Sequence, residues 1–131
     1  MEKIIKIGEK DIRLKANAMQ AIIYRREFGR DIMEVQGSIM KMMKFDKAGN
    51  ATFNLDGIGN LDSVGIVQVI WTMAKAADAS VPPLEQWLEQ FDAFPIMDVF
   101  AEAYELILAN FISTTKIKNR KAAGRDRKST R

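Results

Sequence analysis

Three prolines divide the C-terminal half of the chain, and they restrict its fold more than any other feature. Pro82 and Pro83 end one run of apolar residues at helical spacing, and Pro95 ends the next. Proline fits the first turn of a helix but not its interior, where it removes a hydrogen bond and clashes with the preceding turn. The sequence therefore predicts three separate helices, over about 61–78, 83–92 and 95–113.

Each of these helices carries apolar residues that recur every three or four positions, as is typical of a helix with one face on a core. Both tryptophans fall in this half, so we expect it to form the centre of the core. The expected inward faces are Val64, Val67, Ile70, Trp71, Ala74 and Ala77, then Leu84, Trp87, Leu88 and Phe91, then Ile96, Val99, Phe100, Ala103, Ile107 and Phe111.

The N-terminal half begins with alternating polarity over 3–15, which predicts a β-hairpin with one face on the helices. Helices are expected over 18–28 and 31–44, with Asn17 capping the first and Gly29 ending it in a left-handed conformation. A loop with a brief strand near Thr52 to Leu55 leads to residue 61. The predicted fold class is α+β and predominantly α-helical: one domain over 1–115, with an N-terminal hairpin packed on a bundle of about five helices.

The helix over 18–28 is expected to face the core with Met19, Ile22, Ile23 and Phe28. The helix over 31–44 has two apolar faces, which is more than a small core needs. One face holds Ile32, Val35, Ile39 and Met42, and the other holds Met33, Gln36, Met40 and Met43. Unbranched thioether side chains suit surfaces that must fit several partner shapes. Met33, Met40 and Met43 are therefore the candidate partner-binding residues, and an adaptable part of the core is the alternative.

The 131 residues include neither cysteine nor histidine, which removes thiol nucleophiles, the commonest general base and the usual zinc ligands. A partial calcium loop (Thr52, Asn54, Asp56) and a partial dinucleotide fingerprint (Gly57, Gly59) each lack a required residue. No apolar run reaches the roughly 18 residues of a membrane span, and the N-terminus lacks the apolar core of a signal peptide. We therefore expect a cytoplasmic protein that is not an enzyme and binds no metal or cofactor.

Charge is segregated along the chain, which carries a net charge of +3. Residues 1–115 have a net charge of −4, and residues 116–131, which we expect to be a disordered basic tail, have a net charge of +7. Such a tail is compatible with a merely solvated end, with nonspecific binding to nucleic-acid phosphates, or with docking on acidic helices of a neighbouring copy.

Seven acidic residues and no basic ones lie between Ala76 and Thr115. Their helical spacing places them opposite the apolar faces, as expected for a solvated surface and not for a metal or acid–base site. The candidate self-association residues are Glu85, Glu89, Asp98, Glu102 and Glu105 on this surface and Lys118, Arg120, Lys121 and Arg125 in the tail.

Several segments stand in a distinctive order. A hairpin of the type IKIGEKDIRLKA is followed by Tyr24 to Asp31 (YRREFGRD), Met73 to Asp78 (MAKAAD), two prolines before Leu84 to Leu88 (LEQWL), and Phe91 to Pro95. In this order and spacing, over residues 4 to about 112, the chain resembles the tail assembly chaperones of long-tailed bacteriophages and related prophages.

The resemblance implies a small, mostly helical protein of the host cytoplasm that has no catalytic activity and is absent from the mature virion. Such chaperones associate with the tape measure protein, a long, helical and hydrophobic protein that sets tail length, and help tail-tube subunits polymerise around it. Because coating a long rod requires many copies, we also expect a homo-oligomer. Two other functions fit the residues: a nucleic-acid-binding phage regulator that uses residues 116–131, and a structural tail or head-completion subunit.

Overall fold

A computed structural model describes residues 1–48, 50–54 and 61–109. Within these ranges the mostly helical α+β fold class is confirmed. The elements, in chain order, are β1 (Glu2–Ile7), β2 (Lys10–Lys15), α1 (Met19–Phe28), α2 (Ile32–Met42), β3 (Met43–Phe45), β4 (Ala51–Phe53), α3 (Ser63–Ala77), α4 (Leu84–Glu89) and α5 (Ile96–Leu108).

The predicted N-terminal hairpin is confirmed. Strands β1 and β2 pair antiparallel, with Ile7 opposite Lys10 at the closed end. Gly8 has a φ of 63° and Glu9 has a negative φ, which is the pattern of a type II′ turn, where glycine is favoured at the first position. Alternation along the strands places Ile5, Ile7 and Leu14 in the core and leaves the charged residues between them exposed.

Helix α3 lies at the centre of the molecule and packs against β2, α1, α5 and α2. Its buried face was only partly predicted: Ile70, Trp71 and Ala74 are buried as expected, but Val64 is 63% exposed. Because neighbours surround α3 on most sides, burial extends beyond one stripe. The buried residues of the helix are Gly65, Ile66, Val69, Ile70, Trp71, Thr72, Met73 and Ala74.

The inward face of α1 differs from the predicted one. Gln20, Ile23 and Tyr24 are buried, whereas Met19 and Ile22 are exposed. The Tyr24 hydroxyl donates a hydrogen bond to the side-chain oxygen of Gln68, at 2.9 Å, so this polar side chain is satisfied inside the fold. Aromatic contacts of Phe28 with Tyr24 and Trp71 fix the same face.

Helix α2 ends at Met42 and continues directly into β3, which the sequence did not predict. Its stripe of Ile32, Val35, Ile39 and Met42 is buried as expected. The strand predicted near Thr52 is confirmed as β4, which pairs antiparallel with β3. In the intervening loop, the Asp46 carboxylate accepts hydrogen bonds from the backbone amides of Ala48 and Asn50, both at 2.9 Å, and thereby stabilises the turn.

The proline boundaries are confirmed, since Pro83 and Pro95 are the residues immediately before α4 and α5. The indole N–H of Trp71 donates to the Pro82 carbonyl at 2.8 Å and ties the α3–α4 connection to the core. Helix α5 buries Val99, Phe100, Ala103, Leu106, Ile107 and Leu108, while its predicted extension to 113 lies outside the described residues. Among the helices that the structure describes, none combines the length and apolar character needed to cross a bilayer.

Candidate functional site

The structure does not place the three candidate methionines on one surface. Met33 is 58% exposed, Met40 is half-buried, and Met43 is only 8% exposed. Gln36, between them, is buried and donates a side-chain hydrogen bond to the Ile107 carbonyl at 2.8 Å. Met43 lies in β3, beyond the end of α2, so the helical spacing that linked it to Met33 does not apply. An exposed stripe through all three methionines is therefore wrong, and only Met33 is a surface residue.

A different apolar surface is present on α1. Met19 and Ile22 lie one helical turn apart and are 45% and 55% exposed. Ile22 borders an open depression of about 430 Å³ that is also lined by Ala21, Arg25, Arg26 and Asp31. The side chains of Met19 and Ile22 point outward, because Gln20, Ile23 and Tyr24 occupy the inward positions of the helix.

The corner between α1 and α2 places Met33 two residues after Asp31, which lines this depression. Gly29, with a φ of 68°, ends α1 in the left-handed conformation that glycine adopts without strain. Asp31 caps α2 by accepting a hydrogen bond from the Met33 amide at 2.9 Å. We define the α1–α2 surface as Met19, Ala21, Ile22, Arg25, Arg26, Asp31 and Met33.

An ion pair holds this corner against α3. The Arg30 guanidinium lies 2.7 Å from the Asp62 carboxylate, and Asp62 also accepts a hydrogen bond from the Gly65 amide at 2.8 Å. Burial by itself would raise the pKa of Asp62, but the hydrogen bonds from Arg30 and Gly65 outweigh it and hold that pKa below its usual value. Asp62 is therefore ionised at neutral pH and anchors the backbone that carries the α1–α2 surface.

Charge on the α1–α2 surface is mixed and mainly positive. Arg25 and Arg26 are exposed in the last turn of α1, where a cation interacts favourably with the helix dipole. Their positions beside Ile22 give an apolar centre with a basic border.

Sequence reasoning placed Met19 and Ile22 in the core. Counting Tyr24 with Ile23 and Phe28 as the inward set would have shown that Ile22 lies off that face.

The acidic candidates for self-association lie on exposed surfaces, as predicted. Glu85 and Glu89 are exposed on α4, and Asp98, Glu102 and Glu105 are exposed on α5. Glu102 also covers the outer edge of β1, because its carboxylate accepts a hydrogen bond from the Lys6 amide at 3.3 Å. Within 1–48, 50–54 and 61–109, no three acidic side chains form a group that could bind a metal ion. Their proposed basic partners Lys118, Arg120, Lys121 and Arg125 lie outside the described residues.

Comparisons of the chain with protein-family models, with curated proteins and with solved structures found no match. The α1–α2 surface is apolar at its centre and basic at its border. It presents three large apolar side chains, bordered by two arginines, on helices whose relative position is fixed by a cap and an ion pair. Amphipathic helices of other proteins bind to surfaces of this kind through apolar residues spaced three or four apart.

Proposed function

We propose that this chain is a non-catalytic tail assembly chaperone of a long-tailed bacteriophage or prophage, and that the α1–α2 surface binds the tape measure protein. The observation that carries this proposal is the exposure of Met19 and Ile22, one helical turn apart on α1, together with that of Met33 in the first turn of α2. The segment Tyr24 to Asp31, on which the family resemblance partly rests, forms the end of α1 and the cap of α2. The proposed binding surface and the resemblance thus coincide in the chain.

The energetics favour many weak contacts along a long partner. Fully burying a methionine or isoleucine side chain stabilises by about 1.5–3 kcal/mol. Met19, Ile22 and Met33 are already about half buried, so completing their burial contributes on the order of 2–5 kcal/mol, much of which offsets the loss of translational and rotational freedom on association. A single copy would therefore bind weakly, and several copies on one rod, linked to each other, would bind much more tightly.

The arginines fit the same role. Arg25 and Arg26 carry long aliphatic stems that cover apolar area while their guanidinium groups stay hydrated. They keep the exposed apolar surface soluble and favour a partner helix with acidic residues beside its apolar stripe. In this proposal the protein acts in the bacterial cytoplasm during tail assembly, assists tail-tube polymerisation, and leaves before the virion matures.

Co-expression with the tape measure protein of the same phage, followed by pull-down, tests the proposal. The double variant Met19→Ser/Ile22→Ser should reduce the recovered tape measure protein roughly tenfold or more, because it removes two of the three apolar contacts. The control is Ile4→Ser/Val64→Ser, which removes two even more exposed apolar side chains from other parts of the surface and should leave recovery unchanged.

Equal recovery with both double variants would contradict the proposed surface. Absence of any complex with the wild-type chain would contradict the proposed partner. Retention of DNA on a filter at low salt, lost as salt rises, would instead support the nucleic-acid-binding alternative through residues 116–131.

A further inference from the structure

The hydrogen-bond pattern of the hairpin shows which backbone groups of β2 point away from β1. Met1 and Ala16 exchange both backbone hydrogen bonds, at 2.9 and 3.2 Å. Bonded and non-bonded pairs alternate along an antiparallel ladder, so every second pair from Met1–Ala16 to the turn is bonded. The N–H and C=O groups of Asp11, Arg13 and Lys15 belong to the pairs between, and they therefore point outward along the edge of β2.

The two edges of the hairpin differ in what lies beside them. At the β1 edge, the outward Lys6 amide is bonded to Glu102 of α5. At the β2 edge, no group in the described part of the chain is bonded to the backbone of Asp11 or Arg13 outside the hairpin. An open groove of about 550 Å³ lies beside these two residues. An exposed strand edge of this kind is a template for pairing with another chain.

The wall of the groove opposite β2 does not favour an occupant of either charge. This wall carries Asp78, and the Lys75 ammonium is bonded to two carbonyls of the same connection, both at 2.7 Å. The charges that can discriminate between occupants are therefore those of the strand itself. Asp11 and Arg13 are both exposed, and they lie on one face of the hairpin because they are two residues apart.

A second copy of β2 complements these charges in one register. A two-fold axis through Ile12 pairs the strands antiparallel and places Asp11 of each copy opposite Arg13 of the other. Both are bonded pairs, since the backbone groups of these residues point outward. The same register sets Lys15 opposite Glu9 of the turn. An axis through residue 10, 11, 13 or 14 instead sets two acids or two bases opposite each other at the centre, which destabilises a strand pair.

The contacts that these side chains make within one chain are compatible with this pairing. Lys6 of β1 lies 3.7 Å from the Asp11 carboxylate, so in the pair Asp11 lies between two cations in a row across the sheet. The Arg13 guanidinium donates to the Ala77 carbonyl at 2.5 Å in an exposed position. Pairing exchanges this neutral acceptor for a carboxylate, and charge-assisted hydrogen bonds are roughly twice as strong as neutral ones.

We propose that two copies of this chain pair through the free edges of β2, with the two-fold axis at Ile12, and form a continuous four-stranded antiparallel sheet. Two Asp11–Arg13 pairs, which exchange two main-chain hydrogen bonds each, hold the centre of the contact. Each β2 lies in the groove of the other copy, beside Val81 and Pro82. The contact closes at two copies, because the same surface is used on both. It does not depend on which partner the α1–α2 surface binds.

Charge exchange tests the register, with the dimer dissociation constant measured by sedimentation equilibrium of the full chain over a concentration series. Asp11→Arg and Arg13→Asp each set like charges opposite one another and should weaken dimerisation about tenfold or more. The double variant Asp11→Arg/Arg13→Asp has the net charge of the wild type and should dimerise like it. An equimolar mixture of the two single variants should also dimerise, because each supplies the charge that the other lacks.

The matched control is Glu27→Arg on α1, an exposed position outside the hairpin. It makes the same change in net charge as Asp11→Arg and should dimerise like the wild type. A wild-type chain that stays monomeric at all concentrations would overturn the proposal. Single variants that dimerise as tightly as the wild type, or a double variant as weak as the single ones, would overturn it as well.

A single cysteine tests the position of the two-fold axis in a chain that has no cysteine of its own. The two Cα atoms of a non-bonded pair lie about 4.5 Å apart, within the roughly 4.4–6.8 Å of a disulfide. Ile12→Cys should therefore form a covalent dimer on mild oxidation, about tenfold or more faster than Ile4→Cys. Ile4 is 64% exposed and Ile12 only half-exposed, but the two copies of Ile4 lie three strand spacings apart, about 14 Å. Equal rates, or a faster rate for Ile4→Cys, would contradict the proposed axis.

Discussion

At the scale of single residues, two helical glycines differ in how closely other atoms pack against them. At Gly65 in α3, a Cβ atom would lie 2.6 Å from an Asp62 carboxylate oxygen and 2.7 Å from a methyl of Val35. Asp62 cannot easily move away, because it caps α3 and pairs with Arg30. At Gly37 in α2, a Cβ would meet nothing within 4 Å. The first glycine is therefore required by close packing, and the second is not.

Substituting each glycine by alanine should change stability in opposite directions. Gly65→Ala should lower the free energy of unfolding by about 1–3 kcal/mol, the usual cost of overpacking a core. Gly37→Ala should raise it by roughly 0.5–1 kcal/mol, because alanine loses less backbone entropy in a helix. Urea unfolding of both variants at neutral pH measures the two effects. A Gly65→Ala variant as stable as the wild type, or more stable, would show that the packing at Gly65 is not tight.

Asp62 should make stability depend on pH in acid. Its pKa is lowered in the folded chain, so its contribution is fully present above the unfolded pKa and is lost as pH falls through the folded value. Asp62→Ala should lower the free energy of unfolding by about 0.5–2 kcal/mol at pH 7, as expected for a lost cap. This deficit should shrink as pH falls below the ordinary value of 3.8.

The control for this series is Asp92→Ala, which removes an exposed carboxyl from the α4–α5 connection. It should change the free energy of unfolding by less than about 0.5 kcal/mol. Urea unfolding at several pH values provides the comparison. A deficit in Asp62→Ala that stays constant down to pH 2 would show that the carboxylate charge is not what stabilises the corner.

At the scale of elements, the six-residue helix α4 is too short to be stable by itself and depends on one side chain. Trp87 is 2% exposed, and its ring centroid lies 5.0 Å from that of Phe91 and 6.2 Å from that of Phe94. Both phenylalanines belong to the connection between α4 and α5. The tryptophan therefore attaches α4 and the following corner to the core.

Trp87→Ala should lower the free energy of unfolding by about 3–5 kcal/mol, the usual cost of removing a buried aromatic side chain. Fluorescence of the remaining Trp71 during urea unfolding gives the measurement. Trp87→Phe keeps most of the apolar volume and should cost clearly less than the alanine change. A loss below 1 kcal/mol in Trp87→Ala would indicate that α4 is held by other contacts.

Element boundaries followed from local stereochemistry, and most of them were therefore predictable from the sequence. Pro83, Pro95 and Gly29 act on their own backbone, so each boundary that they set was correct or nearly so. The strand pair of β3 and β4 was only half predicted, because β3 is defined by pairing with residues six to ten positions away.

Helix faces were less predictable, because polar residues occupy several inward positions. Gln36 and Tyr24 are buried through hydrogen bonds to Ile107 and Gln68, which are distant in the chain. Hydropathy alone cannot reveal such partners. The same cause explains the candidate site. Met33 was identified as a candidate, whereas Met19 and Ile22 were assigned to the core. Met43 was also a candidate, but it belongs to the core, as the alternative interpretation had it.

At the scale of the whole molecule, burial is unevenly distributed. Helix α3 is enclosed by its neighbours and α5 covers the β1 edge, whereas the outer side of α1 has no neighbour among the described residues. The chain therefore keeps apolar area on one side after its core is complete. In our proposal this area is the surface that holds the tape measure protein.

Oxidation of the native methionines tests that surface without any substitution. Peroxide oxidises exposed methionines fastest, and Met19, Met33 and Met97 are all exposed, while Met73 is fully buried. Peptide mass spectrometry can follow each site in the free chain and in its complex with the tape measure protein. We predict that Met19 and Met33 become protected several-fold in the complex while Met97 oxidises at its free rate. Unchanged oxidation of Met19 and Met33 in the complex would contradict binding through the α1–α2 surface.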